Sequence, residues 1–357
     1  MRSQFPGYYS LEDDKIDEMW DKAIIVLDTN VLLDFYRVSP ETQSDLLSLL
    51  DYFGEHQRLW IPYQVALEYH SNLYKVVSDQ MTRYDDTLDI LKKFLSSITQ
   101  KRNHPFLNDN LINRSNNFIK DIGKYFESQK KKLKDSVVDS SLKGKIADIF
   151  QGHVGDSFTD DELKQIYIQG NTRYLKNIPP GFEDKKKGDS EKYNDLVVWN
   201  EVLSYAKAKS VSVIFVSSDT KKDWYLVAKG QTICPQPLLI KEFQDTTDQN
   251  ILLYSLERFM SLAKERNVVN IQDDSIEELK DKEVDSRYVL KYYDYPEILK
   301  KIDLEKSEEA FDKFYNCYLQ KYINKNKQQS EDVSDMGSTS SATITSDQNA
   351  VNNDSES

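Results

Sequence analysis

Short, continuous apolar runs alternate with segments of helical periodicity along much of the chain. Residues 23–27 (AIIVL), 58–61 (RLWI) and 211–216 (VSVIFV) are rich in β-branched or aromatic residues and predict short buried strands. Residues 195–208 carry helical spacing before the third run, and residues 237–240 are predicted to form a short last strand. Strands that alternate with helices indicate an α/β fold with a central parallel sheet.

The pattern changes between the second and third runs, where the chain is long, polar and helix-permissive. Residues 80–98 and 118–137 both place apolar side chains at spacings of three and four, which predicts two amphipathic helices. The residues between them break the pattern with Pro, Asn and Asp. We therefore predict that a helical hairpin is inserted at about residues 70–174 of a domain that spans residues 1–245.

A helical C-terminal region is predicted at residues 246–327, from the periodicity of ILLYSLERFMSLAKE and FDKFYNCYLQKYI. Residues 328–357 contain almost no large apolar side chains, so they are predicted to form a disordered acidic tail. The formal net charge is −13, and removing the six acidic residues of that tail leaves about −7. This charge opposes nucleic-acid binding without excluding it, since bound cations would compensate clustered carboxylates.

The sequence also sets expectations for location. No run of eighteen apolar residues occurs, so we expect no membrane-spanning helix. The first ten residues lack an apolar signal core. Cys234 and Cys317 are too few for a disulfide framework or a zinc site, so a reducing cytoplasmic location is expected.

Four acidic residues are expected near the carboxyl ends of the strands, where open parallel sheets bind their ligands. Asp28 follows the first apolar run and Asp219 follows the third, so both are expected at the carboxyl edge of the sheet. Glu68 lies in the helix after the second run, and Asp195 begins the helix before the third. Carboxylates that converge without His or Cys suit Mg²⁺ or Mn²⁺, which activate water for phosphodiester hydrolysis.

Each acid also has an ordinary structural explanation. Asp28 and Asp195 are suited to cap helices, Asp219 suits a turn, and Glu68 suits a solvated helix surface. The four residues together, in this order and strand context, favour a metal site as the catalytic centre.

Four sequence blocks resemble those of PIN-domain nucleases. IVLDTNVLL opens the series with Asp28, IPYQVALEYHSN contains Glu68, NDLVVWNEVL contains Asp195, and IFVSSDTKKDW contains Asp219. PPGFEDKKKGD and SSDTKKDW further resemble a bacterial PIN-like group with a long helical insertion. The resemblance implies a three-layer α/β/α fold, a divalent metal, and endonuclease activity on RNA or, less often, DNA.

The third acid departs from the pattern that the resemblance implies. A Gly-Asp pair is expected directly before the third helix, but Gly188-Asp189 is followed by five residues before Asp195. We favour Asp195, because it leads into the apolar helix; Asp189 and Asp184 are the alternatives. Supporting roles are assigned to Asp184, Asp189, Asn30 and Asp223.

Basic residues flank the acidic blocks. Lys187, Lys221 and Lys222 are assigned to substrate phosphates, with a solvated charge run as the alternative. Nucleic acid is the expected partner, RNA before DNA, with a second copy of the chain or an inhibitory protein as further candidates. The alternatives to an endoribonuclease are a DNA endonuclease and a catalytically inactive PIN-like binding module.

Overall fold

The protein is built around a small parallel sheet. The structure is a computed structural model that describes residues 1, 4–99, 102, 107–139, 141–188, 190–219, 221–228 and 231–280. All of these residues belong to one compact unit, Met1–Tyr292. Its strands are β1 (Ile24–Leu27), β2 (Leu59–Trp60), β3 (Val213–Val216), β4 (Tyr225–Ala228), β5 (Gln231–Pro235) and β6 (Ile251–Tyr254).

The central sheet has the order β2-β1-β3-β6, and all neighbouring strands are parallel. In its register Leu27 lies beside Val216, which in turn lies beside Tyr254, so these three strands end together. Every residue of β1, β3 and β6 is buried, as expected for a sheet covered on both faces. β4 and β5 form a separate antiparallel hairpin.

Helices cover the sheet as two layers, which makes the fold a three-layer α/β/α arrangement. The described helices are α1 (Asp13–Lys22), α2 (Thr29–Asp34), α3 (Pro40–Glu55), α4 (Tyr63–Ile98), α5 (Asp109–Ser136), α6 (Leu142–Ile149), α7 (Asp160–Leu175), α8 (Asn194–Lys209), α9 (Pro237–Thr247), α10 (Leu256–Glu265) and α11 (Asp273–Leu279).

Aromatic contacts connect the helices within each layer. Trp20 of α1 stacks on Phe259 of α10, with ring centroids 5.4 Å apart, and Phe53 of α3 contacts the same ring. In the other layer, Trp199 of α8 contacts Phe243 of α9, and α8 also packs on α4. The predicted three-layer fold is therefore confirmed.

Two expectations about single elements were wrong. Residues 237–240 begin helix α9 rather than a strand, because Pro237 occupies the first helical turn, where a missing N–H is tolerated. Conversely, the start of the expected helix at residue 251 is strand β6, because a short apolar run fits either structure. The sheet therefore extends to Tyr254, beyond the domain end expected at residue 245.

The inserted segment is a helical hairpin whose first helix begins in the core. Helix α4 is continuous for 36 residues and carries Glu68 near its start. Its distal half packs against α5, where Tyr84 contacts Phe126, and α5 contains no fully buried residue. The later part of the segment returns to the core, because Ile166 of α7 packs against Leu196 and Val197.

Several expectations concern residues outside the described part of the chain. They include Asp189, the helix expected at residues 311–323 and the tail at residues 328–357. Within the described residues, no helix combines the length and the apolar character needed to cross a membrane.

Candidate active site at the carboxyl ends of the strands

Asp28 follows β1 and serves as the N-cap of α2. Its Oδ1 accepts a hydrogen bond from the Thr29 N–H at 2.7 Å, which satisfies one free donor of the helix start. Its Oδ2 accepts from the Asn30 amide at 2.7 Å and from the Ser217 hydroxyl at 2.6 Å. Asp28 is therefore a helix cap through its Oδ1, as the structural explanation expected. Its Oδ2 is held in the site by the donors Asn30 and Ser217.

Ser217 is a site residue that the sequence analysis missed. It follows β3 directly, and the β1–β3 register continues past Leu27 and Val216, with the Asp28 N–H donating to the Val216 carbonyl at 2.9 Å. The register therefore brings Ser217 beside Asp28. The sequence contained this signal, because residues that follow neighbouring parallel strands meet at the same edge.

Glu68 faces the same edge from helix α4. Its Oε2 accepts from the Thr29 hydroxyl at 3.2 Å, and its Oε1 accepts from the Gln64 amide at 2.9 Å. Thr29 thus contributes its N–H to Asp28 and its hydroxyl to Glu68. The first two predicted acids are therefore bridged by one residue of the DTN block.

Asp195 lies in the first turn of α8 rather than at its N-cap position, which Tyr193 occupies. Its Oδ2 accepts a 3.4 Å hydrogen bond from the indole N–H of Trp224. The Trp224 ring is buried and stacks on Phe215 of β3, with centroids 5.2 Å apart. Trp224 thus belongs to the core and connects Asp195 to the central sheet.

The ammonium group of Lys221 lies between three carboxyl groups, those of Asp219, Asp184 and Asp195. The Lys221 Nζ lies 2.8 Å from Asp219, 3.2 Å from Asp184 and 3.9 Å from Asp195. Asp219 also accepts from the Lys221 backbone N–H at 2.9 Å, so it is a turn aspartate as well. The structure therefore brings both described candidates for the third acid, Asp184 and Asp195, to the same cluster.

The other supporting and basic residues lie around this cluster. Asp223 is fully buried; its Oδ2 accepts from the Gly181 N–H at 2.9 Å, while its Oδ1 has no hydrogen-bond partner. Lys187 pairs with Asp184 at 2.7 Å and is half exposed. Lys222 is exposed.

Burial and mutual repulsion change the proton affinity of these carboxyl groups. Burial, with smaller contributions from Glu68 and Asp219, raises the pKa of Asp28 to about 6 despite the hydrogen bonds from Ser217 and Thr29. Burial also raises the pKa of Asp195 to about 8, although Lys221 opposes the change. In both groups burial is the larger cause and the neighbouring carboxylates add to it, so the neutral form is favoured more than it is in water.

The pKa of Lys221 is shifted by the same carboxyl groups. Burial lowers the pKa of Lys221, but the negative charges of Asp195 and Asp219 raise it by a larger amount. The net pKa therefore lies above the ordinary lysine value. The ammonium group is therefore held in its charged form by the cluster.

The acidic side chains of the cluster have the chemistry of a divalent-metal site but not yet its spacing. As the side chains stand, no three His, Cys, Asp or Glu side chains of the described residues are spaced to ligate one ion. However, Asp184, Asp195 and Asp219 already surround one cation, the Lys221 ammonium, within 4 Å. Their oxygens are the hard ligands that Mg²⁺ and Mn²⁺ prefer, so the residues present fit such an ion in chemical type and charge.

The three-layer fold and the acidic edge of its sheet define the class of protein: an α/β/α domain with a carboxylate centre beyond the ends of β1 and β3. The sequence profile of the family described as "PIN like domain" matches residues 24–239. This match covers more than half of the 357 residues, and the chain belongs to the PIN-like family, whose members are generally nucleases. Comparisons with curated proteins and with solved structures found no match.

Proposed function

We propose that the chain is a metal-dependent endonuclease that hydrolyses phosphodiester bonds, with RNA as its preferred substrate. The observation that carries this proposal is the cluster of Asp184, Asp195 and Asp219 around one cation, beside Asp28 at the same edge. A bound Mg²⁺ or Mn²⁺ would supply an activated water and stabilise charge on the phosphate. Family membership supports the nuclease class; metal dependence and RNA preference are our proposals.

The chain's own residues would hold and orient the centre. Asp28, Glu68, Asp195 and Asp219 are the proposed metal ligands, with Asp184 as a further carboxylate in reach of the cluster. Asn30 orients Asp28 through the 2.7 Å hydrogen bond to its Oδ2. Lys187 and Lys222, which reach solvent, are the proposed contacts for substrate phosphates.

An inactive binding module is the second candidate function. The observation in its favour is that Lys221 already pairs with Asp219, Asp184 and Asp195, as in a permanent ion cluster. Such a module would bind nucleic acid without cleaving it. A DNA endonuclease would use the same centre, so only the substrate distinguishes it. A cytoplasmic location and partners other than nucleic acid likewise stay predictions.

The test is cleavage of end-labelled RNA and DNA oligonucleotides of the same sequence by the full chain. We expect internal cleavage of RNA in MnCl₂ and none in EDTA. Binding of both oligonucleotides without cleavage in MnCl₂ would instead identify a binding module. Cleavage of DNA alone would reassign the substrate, and cleavage that persists in EDTA would exclude metal dependence.

Asp28→Asn is the variant that separates the proposed centre from a contaminating nuclease. A neutral amide is a poor ligand for a hard cation, so we expect cleavage to fall by roughly 100-fold or more, beyond the usual effect of losing an outer hydrogen-bond partner. The melting temperature should change by no more than about 4 °C, because the loss of repulsion from Glu68 and Asp219 offsets the weaker hydrogen bonds that an amide makes with Ser217 and Thr29. Asp51→Asn, an exposed change on α3, is the matched control and should cleave normally.

A further inference from the structure

Lys221 lies at the meeting point of three separate chain segments. Asp219 precedes it in the loop after β3, Asp195 comes from α8, and Asp184 comes from the short 3-10 helix Phe182–Asp184. The side chains of these acids are 15%, 25% and 9% exposed, whereas the Lys221 side chain is 36% exposed. The cation is therefore the member of the cluster with the most contact with solvent.

In the part of the chain that the structure describes, Lys221 is the cation that contacts all three acids. Among the described residues, the other ion pair to these three acids is that of Lys187 with Asp184, on the outer side. Asp195 is fixed by the buried Trp224 indole, and Asp219 by the backbone N–H of Lys221. The lysine side chain has a flexible stem of four carbons. Its ammonium group can therefore move out of the cluster while the acids keep their positions.

Two cations cannot share this space without strong repulsion. A divalent ion held by the Asp195 and Asp219 oxygens would stand next to the ammonium group, within the distance at which like charges strongly disfavour one another. One cation must therefore give way to the other.

We propose that Lys221 is an internal counter-ion: its ammonium group offsets part of the negative charge of Asp184, Asp195 and Asp219 in the metal-free chain, and a divalent metal ion displaces it. The inference rests on the metal-dependent centre of the proposed function. It makes the lysine a competitor that lowers the affinity for metal while stabilising the metal-free fold. On displacement, the ammonium group moves toward solvent, which the side chain already reaches.

The first test measures Mn²⁺ binding to the full chain by titration calorimetry. Lys221→Met removes the charge and keeps an apolar stem of similar length. We expect it to bind Mn²⁺ on the order of tenfold more tightly than the unaltered chain, because the competing cation is gone. Its melting temperature in EDTA should fall below that of the unaltered chain, and saturating MnCl₂ should restore it.

Two control variants separate displacement from a general loss of positive charge. Lys222→Met removes the exposed neighbouring charge, and Lys187→Met removes the outer partner of Asp184; neither should tighten Mn²⁺ binding by more than about twofold. A folded Lys221→Met protein with unchanged or weaker Mn²⁺ affinity would overturn the displacement. Absence of Mn²⁺ binding to both the unaltered chain and Lys221→Met would instead overturn the proposed metal centre itself.

A second measurement uses the unaltered chain, in case Lys221→Met does not fold. Brief acetylation with acetic anhydride, read by tandem mass spectrometry, reports how available each lysine amine is. We expect acetylation of Lys221 to rise severalfold when MnCl₂ is added, because the ion pairs that hold the amine are broken. Lys222 provides the internal reference and should not change. Equal acetylation of Lys221 with MnCl₂ and with EDTA would contradict displacement.

Discussion

Ser217 uses its whole hydrogen-bonding capacity within the candidate site. Its hydroxyl donates to Asp28 at 2.6 Å and accepts from the Asn30 amide at 3.2 Å and from the Asp219 N–H at 3.0 Å. A hydroxyl offers one donor and two acceptor positions, and all three are occupied. One buried side chain therefore sets the positions of two proposed metal ligands.

Ser217→Ala should consequently reduce cleavage without removing a ligand. We expect a loss on the order of tenfold, with Mn²⁺ affinity reduced by a similar factor, as is typical when a ligand loses its outer hydrogen-bond partner. Ser218→Ala is the matched control: its hydroxyl donates to Asp34, and the Asn30 contact comes from its backbone N–H, which alanine retains. Equal activity of the two variants would show that Ser217 does not position Asp28.

Glu201 is a buried carboxyl group outside the proposed centre. It is 5% exposed, and its Oε2 accepts from the Gln64 N–H at 3.1 Å. This bond caps the start of α4, because Pro62 occupies the N-cap position and has no side-chain acceptor. Burial raises the pKa of Glu201 from 4.5 to about 7, although the bonds from the helix start oppose the change.

Glu201 should therefore make metal-free stability fall as pH rises. Its folded-state pKa lies above the unfolded value, so its contribution is present below about pH 4.5 and is lost as pH rises through about 7. Glu201→Gln keeps the capping oxygen but cannot ionise. From urea unfolding we expect the variant to gain roughly 2 kcal/mol relative to the unaltered chain between about pH 5 and about pH 8. A difference that is constant with pH would contradict this assignment.

At the scale of elements, two glycines show how differently the helices are packed. A Cβ on Gly170 of α7 would stand 2.6 Å from the Tyr193 ring and 3.1 Å from Leu196, at the start of α8. A Cβ on Gly123 of α5 would meet Leu88 of α4 at 3.6 Å, an ordinary contact. The α7–α8 interface that carries Asp195 is therefore close-packed, whereas the hairpin has room for a methyl group.

The same substitution should then have opposite effects at the two positions. Gly123→Ala should stabilise the hairpin by about 0.5–1 kcal/mol, because alanine favours helix and meets no obstacle. Gly170→Ala should destabilise the domain by about 1–3 kcal/mol through overpacking against Tyr193. Chemical unfolding measures both changes, and slower amide exchange in α5 would locate the first. Destabilisation by Gly123→Ala would mean that α4 and α5 pack more tightly than the structure has them.

The position of the lysines on α5 limits what they can contact. Lys130 pairs with Asp85 of α4 at 2.8 Å, and Asp85 lies seventeen residues beyond Glu68 in the same helix. At 1.5 Å per residue, this contact is about 25 Å from Glu68 along the helix axis. The lysines of this part of α5 are therefore too far away to contact the phosphate that is cleaved, and only a longer substrate could reach them.

Neutralising the exposed Lys131, Lys132 and Lys134 to Gln should therefore affect binding rather than chemistry. We expect weaker binding to long RNA and a smaller salt dependence of the binding constant. Turnover at saturating substrate should stay the same, as should binding of an oligonucleotide too short to span about 25 Å. If the salt dependence is unchanged, the three side chains form a solvated helix surface only.

At the scale of the whole molecule, the segments that flank a short apolar run decided which strands of the central sheet the sequence could predict. Strands β1, β2 and β3 were predicted because each is a short apolar run with β-branched or aromatic residues between polar segments. Strand β6 has the same character in ILLY, but Ser255 and helix α10 follow it directly. Its last residues therefore merge into a helical period, and sequence spacing alone does not separate the two.

The acidic edge was predictable for a related reason. Asp28 and Asp219 follow strands that pair in parallel, so their approach depends only on the order of the strands. The contact of Lys221 with Asp184 depends instead on a loop, a short 3-10 helix and α8 all meeting at one point. Sequence periodicity carries no signal of that contact, so Lys221 was assigned from the sequence to the substrate phosphates rather than to the carboxylates.

Helix α4 runs without a break from Glu68 to the tip of the hairpin. The length and rotation of the hairpin relative to Glu68 are therefore set by the number of residues in that helix. Removing one residue from its distal half would rotate everything beyond by about 100° around the helix axis, while Glu68 keeps its place. Removing seven residues from α4, with a matching deletion in α5, would shorten the hairpin by about 10 Å. Its rotation about the helix axis would be nearly unchanged, since seven residues make almost two turns. Reach and orientation can thus be varied separately, in steps set by the helical repeat.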